Sequence, residues 1–426
     1  MDNSMKSAVR DRALGLLLVS PSDYQSAVQK GVASLLADFD EGGFFRRVLI
    51  AFPLSRTSCI VDVSENVRVR DIGTDWLAFA GRYRWLRRLA APLHFGRVFC
   101  ILIDYVRRHG INVIRATDPC FSGPIAWLIA RLTGRPFCVS IHADLEKRHA
   151  LGGASAGATI LGSRPLARTV ERLVISHADM VLPIRESLRG YALASGAHPD
   201  RIRIIPHGTD LSAFVKRTSI DVSNLFDIPC GHKIVSFVGR LVKENYVDDV
   251  LEVTLRVAAD RTDFTLVVIG GGPEAERLQS FVAADARLRN VVRFGGFQPR
   301  HVVAAVRQAS AVSLCLMGGF SLIEACAAGS PVVAYDVEWH GELVRDGETG
   351  FLVPEHDLER LEAAVRHLLN HPPLVSVLGR AAQALALSRH DLETTRQTKR
   401  QCYLDAIRTF AAAESRDGRP QWRALQ

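Results

Sequence analysis

Short apolar segments alternate with longer segments of helical pattern along most of the chain, and this alternation constrains the fold more than any other feature. The apolar segments lack the polar alternation of strands that face water on one side, so they are typical of parallel sheets covered by helices on both faces. The predicted strands are residues 13–20, 47–52, 113–116, 136–141, 180–183 and 202–206, then 233–238, 265–269, 291–294, 311–316 and 331–335. The helices predicted between the first six strands are residues 27–38, 99–109, 123–132, 166–177 and 184–195.

The pattern runs through the chain twice, which predicts an α/β protein with two doubly wound, Rossmann-like parallel-sheet domains. A length of 426 residues suits two domains of about 200 residues each. A polar stretch at 212–232 separates the two strand patterns, so we expect an N-terminal domain at 1–215 and a C-terminal domain at 216–395. The last stretch, 396–426, is expected to form a helix that returns to the first domain. Because ligands bind beyond the carboxyl ends of parallel strands, we expect the two domains to face a shared cleft.

Composition narrows the class of protein. The longest apolar runs are far too short to span a bilayer, and residues 1–20 lack the pattern of a signal peptide. The eight cysteines form no Cys-x-x-Cys pair, and several lie in apolar runs where a free cysteine packs as a small hydrophobic residue. We therefore expect a reduced, cytoplasmic protein without structural zinc.

The formal net charge of +8 suits a nucleic acid, an anionic membrane surface or a phosphorylated substrate. No nucleic-acid-binding motif accompanies this charge. Residues 81–95 mix four arginines with aromatic and leucine side chains, as helices at the membrane interface do. A solvated helix that turns its leucine and tryptophan toward the core fits this segment equally well. Peripheral contact with the inner face of a membrane is therefore one of two interpretations of this segment.

Residues 318–334 carry the strongest functional pattern. A glycine-rich loop leads into a short helix that bears one carboxylate, Glu324, and a Gly-x-Pro turn then leads into an apolar strand. Amide groups in the first turn of a helix favour phosphate, and a carboxylate there can accept hydrogen bonds from sugar or ribose hydroxyls. The alternative is that Glu324 is a solvated helix residue and that the glycines only turn the chain.

Two further loops at predicted strand ends suit phosphate. Gly239 and Arg240 follow the strand at 233–238, and a guanidinium is always charged and can bind two phosphate oxygens. Gly270, Gly271 and Gly272 follow the strand at 265–269 and precede a helix, but they lack the spacing of a dinucleotide fingerprint or a P-loop. An ordinary exposed arginine and a simple turn are the alternatives.

In the first domain, His142 and Asp144 follow the strand at 136–141. A histidine at a strand end can donate to a sugar hydroxyl or to a developing charge, although a hydrogen-bonded structural histidine fits as well. The sequence Asp38-Phe39-Asp40 is similar to the Asp-x-Asp of metal-dependent glycosyltransferases. Because it closes a predicted helix before a glycine turn, we interpret it as a solvated turn, and we predict no metal site.

Together these motifs resemble the retaining nucleotide-sugar glycosyltransferases of family 4, the group 1 glycosyl transferases, which have the two-domain GT-B fold. The resemblance is most specific over 233–353. Its motifs there are residues 238–241, 270–274, 321–325, 329–334 and 346–353, and residues 140–142, 178–183 and 205–210 extend it upstream. The first 110 residues match only in outline.

The resemblance implies a transfer reaction with retained anomeric configuration and no bound metal or other cofactor, in which electrostatic support of the leaving diphosphate contributes much of the rate. It implies that Glu324 binds the ribose, that Arg240 contacts the diphosphate and that His142 faces the transferred sugar. His142 and Glu324 are thus the predicted catalytic residues. The predicted donor-binding residues are Gly239, Arg240, Lys243, Gly272, Gly319, Phe320, Ser321, Leu322 and Glu324.

Three positions depart from the family pattern. Leu316 stands where a second glutamate, eight residues before Glu324, usually contacts the donor sugar. Asn245 stands where a phosphate-binding lysine is usual, and Lys243 is a candidate substitute. Residues 20–23, Ser-Pro-Ser-Asp, replace a Gly-Gly turn after the first strand. The loss of a charge-assisted hydrogen bond to phosphate typically costs about 1.5–3 kcal/mol.

The leading hypothesis is a cytoplasmic glycosyltransferase that adds a sugar to a lipid-linked or other surface-glycan acceptor in polysaccharide biosynthesis. A second hypothesis, motivated by Leu316 and Asn245, is a GT-B homologue that has lost turnover and binds nucleotide sugars or a partner subunit. A nucleotide-sugar epimerase shares the architecture but not the ordered motifs, and a nucleic-acid binder rests on charge alone.

Overall fold

The computed structural model describes residues 14–29, 33–75, 84–143 and 163–416. Contacts divide the chain into two compact units, one formed by Met1–Pro206 with Arg396–Gln426 and the other by His207–Thr395. None of the helices in the described residues combines the length and the hydropathy that a membrane span requires.

The first unit contains a seven-stranded sheet in the order β3-β4-β2-β1-β5-β6-β7. All neighbouring strands in it are parallel except β3 and β4. At its centre, Leu17 of β1 pairs with Leu49 of β2 and with Ile114 of β5. The strands are β1 Leu14–Val19, β2 Phe45–Phe52, β3 Cys59–Asp62, β4 Val67–Asp71, β5 Val113–Ala116, β6 Phe137–Ile141 and β7 Met180–Pro183.

Helices follow these strands and cover the sheet. Asp118 orders the chain after β5, because its carboxylate accepts hydrogen bonds from the amides of Cys120, Phe121 and Ser122. The helices of this unit within the described residues are α1 Tyr24–Gln29, α2 Arg84–Arg108, α3 Ser122–Thr133, α4 Arg164–Ser176 and α5 Ser187–Ala194, with 3₁₀ helices at Ala33–Asp40 and Pro199–Arg201.

The second unit contains a six-stranded, fully parallel sheet in the order β10-β9-β8-β11-β12-β13. Its strands are β8 Lys233–Val238, β9 Phe264–Ile269, β10 Val292–Gly296, β11 Ser310–Leu314, β12 Val332–Tyr335 and β13 Gly350–Val353. Its helices are α6 Ser212–Val215, α7 Val222–Leu225, α8 Val247–Val257, α9 Ala275–Ala284, α10 Ala286–Val291, α11 Arg300–Ala309, α12 Phe320–Ala327, α13 Leu358–Asn370 and α14 Pro372–His390, with 3₁₀ helices at Lys243–Asn245 and His340–Glu342.

Two doubly wound parallel-sheet domains were predicted, and the structure confirms them. It differs from the prediction in several places, among them the helix predicted at 99–109, which begins much earlier as α2 Arg84–Arg108. Residues 202–206 contribute only a single bridge, Val181 to Ile202, rather than a strand. The described residues of the predicted helix at 27–38 divide between α1 and the 3₁₀ helix Ala33–Asp40. Strands β3, β4 and β13 were not among the predicted strands.

The final helix, α15 Leu392–Arg416, contributes its residues from Arg396 onward to the first unit. Arg115 on β5 is buried and donates to the Tyr403 hydroxyl, with 2.7 Å between Nη1 and the oxygen. The Nζ atom of Lys399 lies 3.3 Å from a carboxylate oxygen of Glu41, which has no exposed surface. These buried polar contacts fasten the helix to the first sheet.

The structural division falls at 206/207, nine residues before the predicted boundary at 215/216. The amide of Thr209 donates to the carbonyl of His390, with 2.9 Å between the nitrogen and the oxygen. Leu211 and Phe214 are buried in a hydrophobic cluster of the second unit. Residues 207–215 therefore belong to the second unit by packing.

Candidate functional site

Three loops lie side by side at the carboxyl edge of the second sheet. They follow β8, β9 and β11, and they are neighbours because β8 pairs with both β9 and β11. The loops comprise residues 239–246, 270–274 and 315–319. The predicted donor-binding residues, together with Leu316 and Asn245, lie in these loops or in helix α12 that follows the third loop, whereas His142 and residues 20–23 belong to the first unit.

Backbone hydrogen bonds join the first two loops. The amide of Gly239 donates to Ile269, and the amide of Leu241 donates to Gly271, both over 3.0 Å. The loops approach so closely at Gly272 that a Cβ atom there would lie 2.4 Å from the carbonyl oxygen of Leu241. Glycine is required at this position because of that approach. The predicted loop residues Gly239 and Gly272 thus form one continuous backbone surface.

The candidate phosphate-binding cations lie on this surface. Arg240 and Lys243 are both exposed. Asn245 donates from Nδ2 to the carbonyl oxygen of Arg240 over 2.7 Å, so its amide closes the turn that carries Arg240. The residue in the usual lysine position has therefore taken a structural role, and Lys243 is the cation that this loop offers beside Arg240.

Sequence reasoning missed His340, which holds the loop before α12. His340 is fully buried, and its Nε2 accepts a hydrogen bond from the amide of Gly318 over 2.9 Å. The proton therefore resides on Nδ1, which donates to the carbonyl of Tyr335 over 2.8 Å. A neutral imidazole thus ties the Gly318–Gly319 turn to the end of β12. The protonated ring could not accept the Gly318 bond.

Burial lowers the pKa of His340 below its ordinary value, although the backbone carbonyls of Tyr335 and Gly318 near its two ring nitrogens act in the opposite direction. Below about pH 6.5 the unfolded chain takes up a proton that the folded site resists, so stability falls as pH drops toward the folded-state pKa. We expect a contribution of up to about 1.4 kcal/mol per pH unit. Urea unfolding between pH 7.5 and 5.5 should show a weaker pH dependence in His340→Asn than in the wild type.

The exposed residue His301 provides the matched control. A His301→Gln variant should retain the pH dependence of the wild type. An unchanged pH dependence in His340→Asn would show that this imidazole is not a titrating element of the fold.

Ser321 links the start of α12 to β8. Its hydroxyl donates to the carbonyl of Val238 over 2.5 Å and accepts from Nη2 of Arg307 over 2.6 Å. Leu322 is fully buried, so only its backbone is available to a ligand. Gly319 and Phe320 at the helix start are exposed. The helix therefore presents backbone amides rather than side-chain hydroxyls.

Glu324 lies one turn farther along α12, and its side chain is 21% exposed. Its Oε1 lies 4.0 Å from Nη2 of Arg300, which also stacks over Phe214 and donates to the carbonyl of Asp210. Burial raises the pKa of Glu324, while Arg307 and Arg300 act to lower it. Hydrogen-bond donors on a ligand would stabilise a partly desolvated carboxylate of this kind.

Leu316 is fully buried in the main hydrophobic cluster of the second unit. The position that carries a second glutamate in the resembling family is therefore part of the core here. No acidic side chain occurs between β11 and Glu324. The stretch from β11 into α12 thus has one carboxylate, Glu324, and an apolar core residue at position 316.

Two exposed aromatic side chains also escaped the sequence analysis. Phe297, immediately after β10, is 91% exposed, and Phe320 at the start of α12 is 54% exposed. The ring centroids of Phe320 and His207 are 6.0 Å apart. Aromatic surface at a strand end offers a stacking platform to a planar ligand.

In the first unit, His142 directly follows β6 and is exposed. Its role toward the transferred sugar stays a prediction, and Asp144 lies outside the described residues. Asp23, in the departure at 20–23, caps α1 by accepting from the Ser26 amide over 2.7 Å.

The Asp38-Phe39-Asp40 sequence is engaged within the protein. Asp38 pairs with Arg396 over 2.8 Å, and Asp40 accepts from Nδ2 of Asn66 over 3.1 Å. Among the residues that the structure describes, no group of three or more His, Cys, Asp or Glu side chains could hold a metal ion. The contacts of both aspartates explain their place in the fold without a ligand.

Family models match both halves of the chain. Residues 224–385 match the glycosyl transferases group 1, and residues 27–208 match the glycosyl transferase 4-like domain. The chain is 30% identical over 290 residues to a D-inositol 3-phosphate glycosyltransferase of Acidothermus cellulolyticus, a match that spans 63% of this chain and 62% of that protein. It is 29% identical over 377 residues to the protein of the same name from Geodermatophilus obscurus, with 84% and 80% of the two chains covered.

The structure is also similar to that of Anabaena HepE in complex with UDP. The TM-score is 0.66 at 17% identity, and the match covers 91% of this chain and 99% of that one. At this level of identity the similarity shows a shared fold. The predicted GT-B fold class is therefore confirmed.

Proposed function

Because the chain belongs to the group 1 glycosyl transferases, we propose that it moves a sugar from a nucleotide-sugar donor to a lipid-linked or other surface-glycan acceptor. One observation carries this proposal. A partly buried carboxylate, two exposed cations and the amides of a helix start meet at the carboxyl edge of the second sheet. This set matches the hydroxyls and the diphosphate of a nucleotide sugar.

Each group has a distinct role in the proposed reaction. Glu324 accepts hydrogen bonds from the ribose hydroxyls, while Arg240 and Lys243 bind the diphosphate. The amides at the start of α12 stabilise the charge that develops on the leaving phosphate. His142 faces the transferred sugar, and the configuration at the anomeric carbon is retained. The reaction requires no bound metal.

The named similarities support a nucleotide-sugar donor. HepE is described in complexes with UDP and with UDP-glucose. The first curated relatives are D-inositol 3-phosphate glycosyltransferases, although this chain matches less than two thirds of the length of one of them. Phe297 offers the exposed aromatic surface on which the base of such a nucleotide would stack.

A binding panel tests the donor site. Calorimetry with UDP, GDP and ADP should identify one nucleoside diphosphate that binds in the micromolar range. Arg240→Ala should weaken that binding by about 10- to 100-fold, because a charge-assisted hydrogen bond contributes about 1.5–3 kcal/mol. Phe297→Ala should weaken it by a smaller factor. A protein that binds none of the three diphosphates would contradict the proposed donor site.

A second candidate function is a GT-B homologue that binds a nucleotide sugar without turnover. The burial of Leu316 and the structural role of Asn245 favour it, because each removes a charged contact that such sites usually have. The two candidates differ in turnover and not in nucleotide binding, so an assay of donor cleavage separates them.

We propose a cytoplasmic location with peripheral contact to an anionic membrane surface that presents the acceptor. The segment that motivates this contact, 81–95, lies partly outside the described residues, and its described part begins α2. Replacement of Arg84, Arg87 and Arg88 with glutamate should abolish sedimentation with anionic liposomes. Unchanged sedimentation would exclude this segment as the contact.

A further inference from the structure

Arg307 is a fully buried arginine beneath the candidate donor site. It lies on α11, has no exposed surface and is among the largest fully buried side chains of the chain. Among the residues that the structure describes, no carboxylate oxygen lies within 4.0 Å of its guanidinium nitrogens, and its buried Nε has no hydrogen-bond partner. Arg307 is therefore a buried cation whose charge is incompletely compensated.

The contacts of Arg307 lead to the start of α12. Its Nη2 donates to the Ser321 hydroxyl over 2.6 Å, and that hydroxyl donates in turn to the carbonyl of Val238. Its Nη1 lies 3.9 Å from the sulfur of Cys315, which precedes the Gly318–Gly319 turn. The guanidinium thus contacts both the loop after β11 and the first turn of α12, and it reaches the end of β8 through one hydroxyl.

A purely structural role explains these contacts poorly. An unpaired buried charge costs several kcal/mol, and a neutral side chain could donate the same bond to Ser321 without that cost. Glu324 compensates part of the charge, because Arg307 favours its ionised form. The rest of the charge remains available to an anion bound at the helix start.

We propose that Arg307 is a positioning residue for the diphosphate of the donor: it fixes Ser321 at the start of α12 and adds a full positive charge beneath the amides that bind phosphate. This inference rests on the proposed function. It assigns to a buried arginine the charge that Asn245 no longer supplies from the loop after β8. The ligand class that this charge recognises is a nucleoside diphosphate, as opposed to a nucleoside.

Variants of Arg307 separate its charge from its hydrogen bond. Arg307→Gln keeps a donor for Ser321 and removes the charge, whereas Arg307→Lys keeps the charge. The exposed Arg380 provides a control, since Arg380→Gln removes one positive charge from the surface of the same unit. The affinity of each folded variant is measured by calorimetry for UDP, UMP and uridine, or for the corresponding series of whichever diphosphate the wild type binds.

We expect Arg307→Gln to weaken UDP binding by about 10- to 100-fold and uridine binding by less than about threefold, because a lost charge-assisted contact affects the phosphates alone. Arg307→Lys should keep the preference for UDP over uridine within about threefold of the wild type, and Arg380→Gln should match the wild type. The ratio of the affinities for UDP and uridine is the deciding measurement, because a purely structural role of Arg307 would not change it.

Equal losses of UDP and uridine binding in Arg307→Gln, or no loss of UDP binding, would overturn the inference and leave the proposed function intact. A wild type that binds no nucleoside diphosphate would overturn both. Should Arg307→Gln fail to fold, Arg307→Lys decides: a tenfold or greater fall in its preference for UDP over uridine would overturn the inference.

Discussion

Replacement of Gly270 with alanine is expected to destabilise the second unit strongly and to abolish nucleotide binding. Gly270 has a φ of +132°, and a Cβ atom there would lie 1.9 Å from the carbonyl oxygen of Gly239. The strained conformation costs about 1–3 kcal/mol, and the steric overlap adds about as much. The sum, about 2–6 kcal/mol, is a large part of the stability of a typical domain. Urea unfolding of Gly270→Ala measures it.

The neighbouring residue Gly271 gives the matched control. A Cβ atom at Gly271 would meet no atom within 4 Å, so Gly271→Ala should unfold at nearly the same urea concentration as the wild type. Similar stabilities of the two variants would show that the backbone contact between the loops after β8 and β9 does not constrain this site.

Replacement of Glu324 with alanine is expected to have the largest effect on donor binding. The carboxylate is partly buried, and the bound ribose would offer it two hydroxyl donors. We expect a loss of about 2–4 kcal/mol, or about 30- to 1,000-fold in the dissociation constant of the nucleoside diphosphate. Competition with the 2′,3′-dideoxynucleotide tests the assignment to the ribose, because that analogue should bind the wild type and the variant with similar affinity.

Glu359, exposed in the first turn of α13, is the matched control. Glu359→Ala should bind the nucleotide as the wild type does. A Glu324→Gln variant guards against misfolding, since it retains the shape of the side chain near Arg307 and Arg300. Wild-type affinity in folded Glu324→Ala would remove the carboxylate from the proposed site.

Continuous apolar strands made the fold predictable. β5, β7 and β8 have the predicted boundaries, because each is a buried run bounded by turns or helices. β3 and β4, the last two strands at one end of the first sheet, were missed because both are short and contain polar residues. In β4, Arg68 and Arg70 alternate with the buried residues Val67 and Val69. A short strand in which polar and apolar residues alternate is difficult to distinguish from a loop by sequence pattern.

The loops of the site were predictable from sequence, but their support was not. Glycines that follow apolar strands predicted the loops at 239–246, 270–274 and 315–319. Such loops are predictable because a turn at a strand end is specified by only a few neighbouring residues. His340 acts through a backbone amide 22 residues away, which no local pattern encodes. Arg307 had a detectable signal, since it lies one helical turn after Val303 on the buried face of α11. An arginine in an apolar stripe indicates a buried cation.

The departures from the family pattern have different structural meanings. Asn245 lies in the loop where a lysine is usual and stabilises its turn, so the site gains order where it loses charge. Leu316 packs into the core, so its side chain is not available to a ligand. Sequence alone could identify both departures. Only the surrounding structure shows that Asn245 has a new role in its turn, whereas Leu316 has become an ordinary core residue.

Donor-dependent release of nucleoside diphosphate is the most direct measure of whether this protein turns over a nucleotide sugar. The purified protein is incubated with a panel of nucleotide sugars, with and without membrane extract as the source of acceptor, beside Glu324→Ala and Arg240→Ala. We predict that one donor is cleaved, that the extract accelerates cleavage, and that both variants lose it. Tight nucleotide binding with no release from any donor, even with the extract present, would contradict the proposed transferase activity and support a homologue that only binds nucleotides.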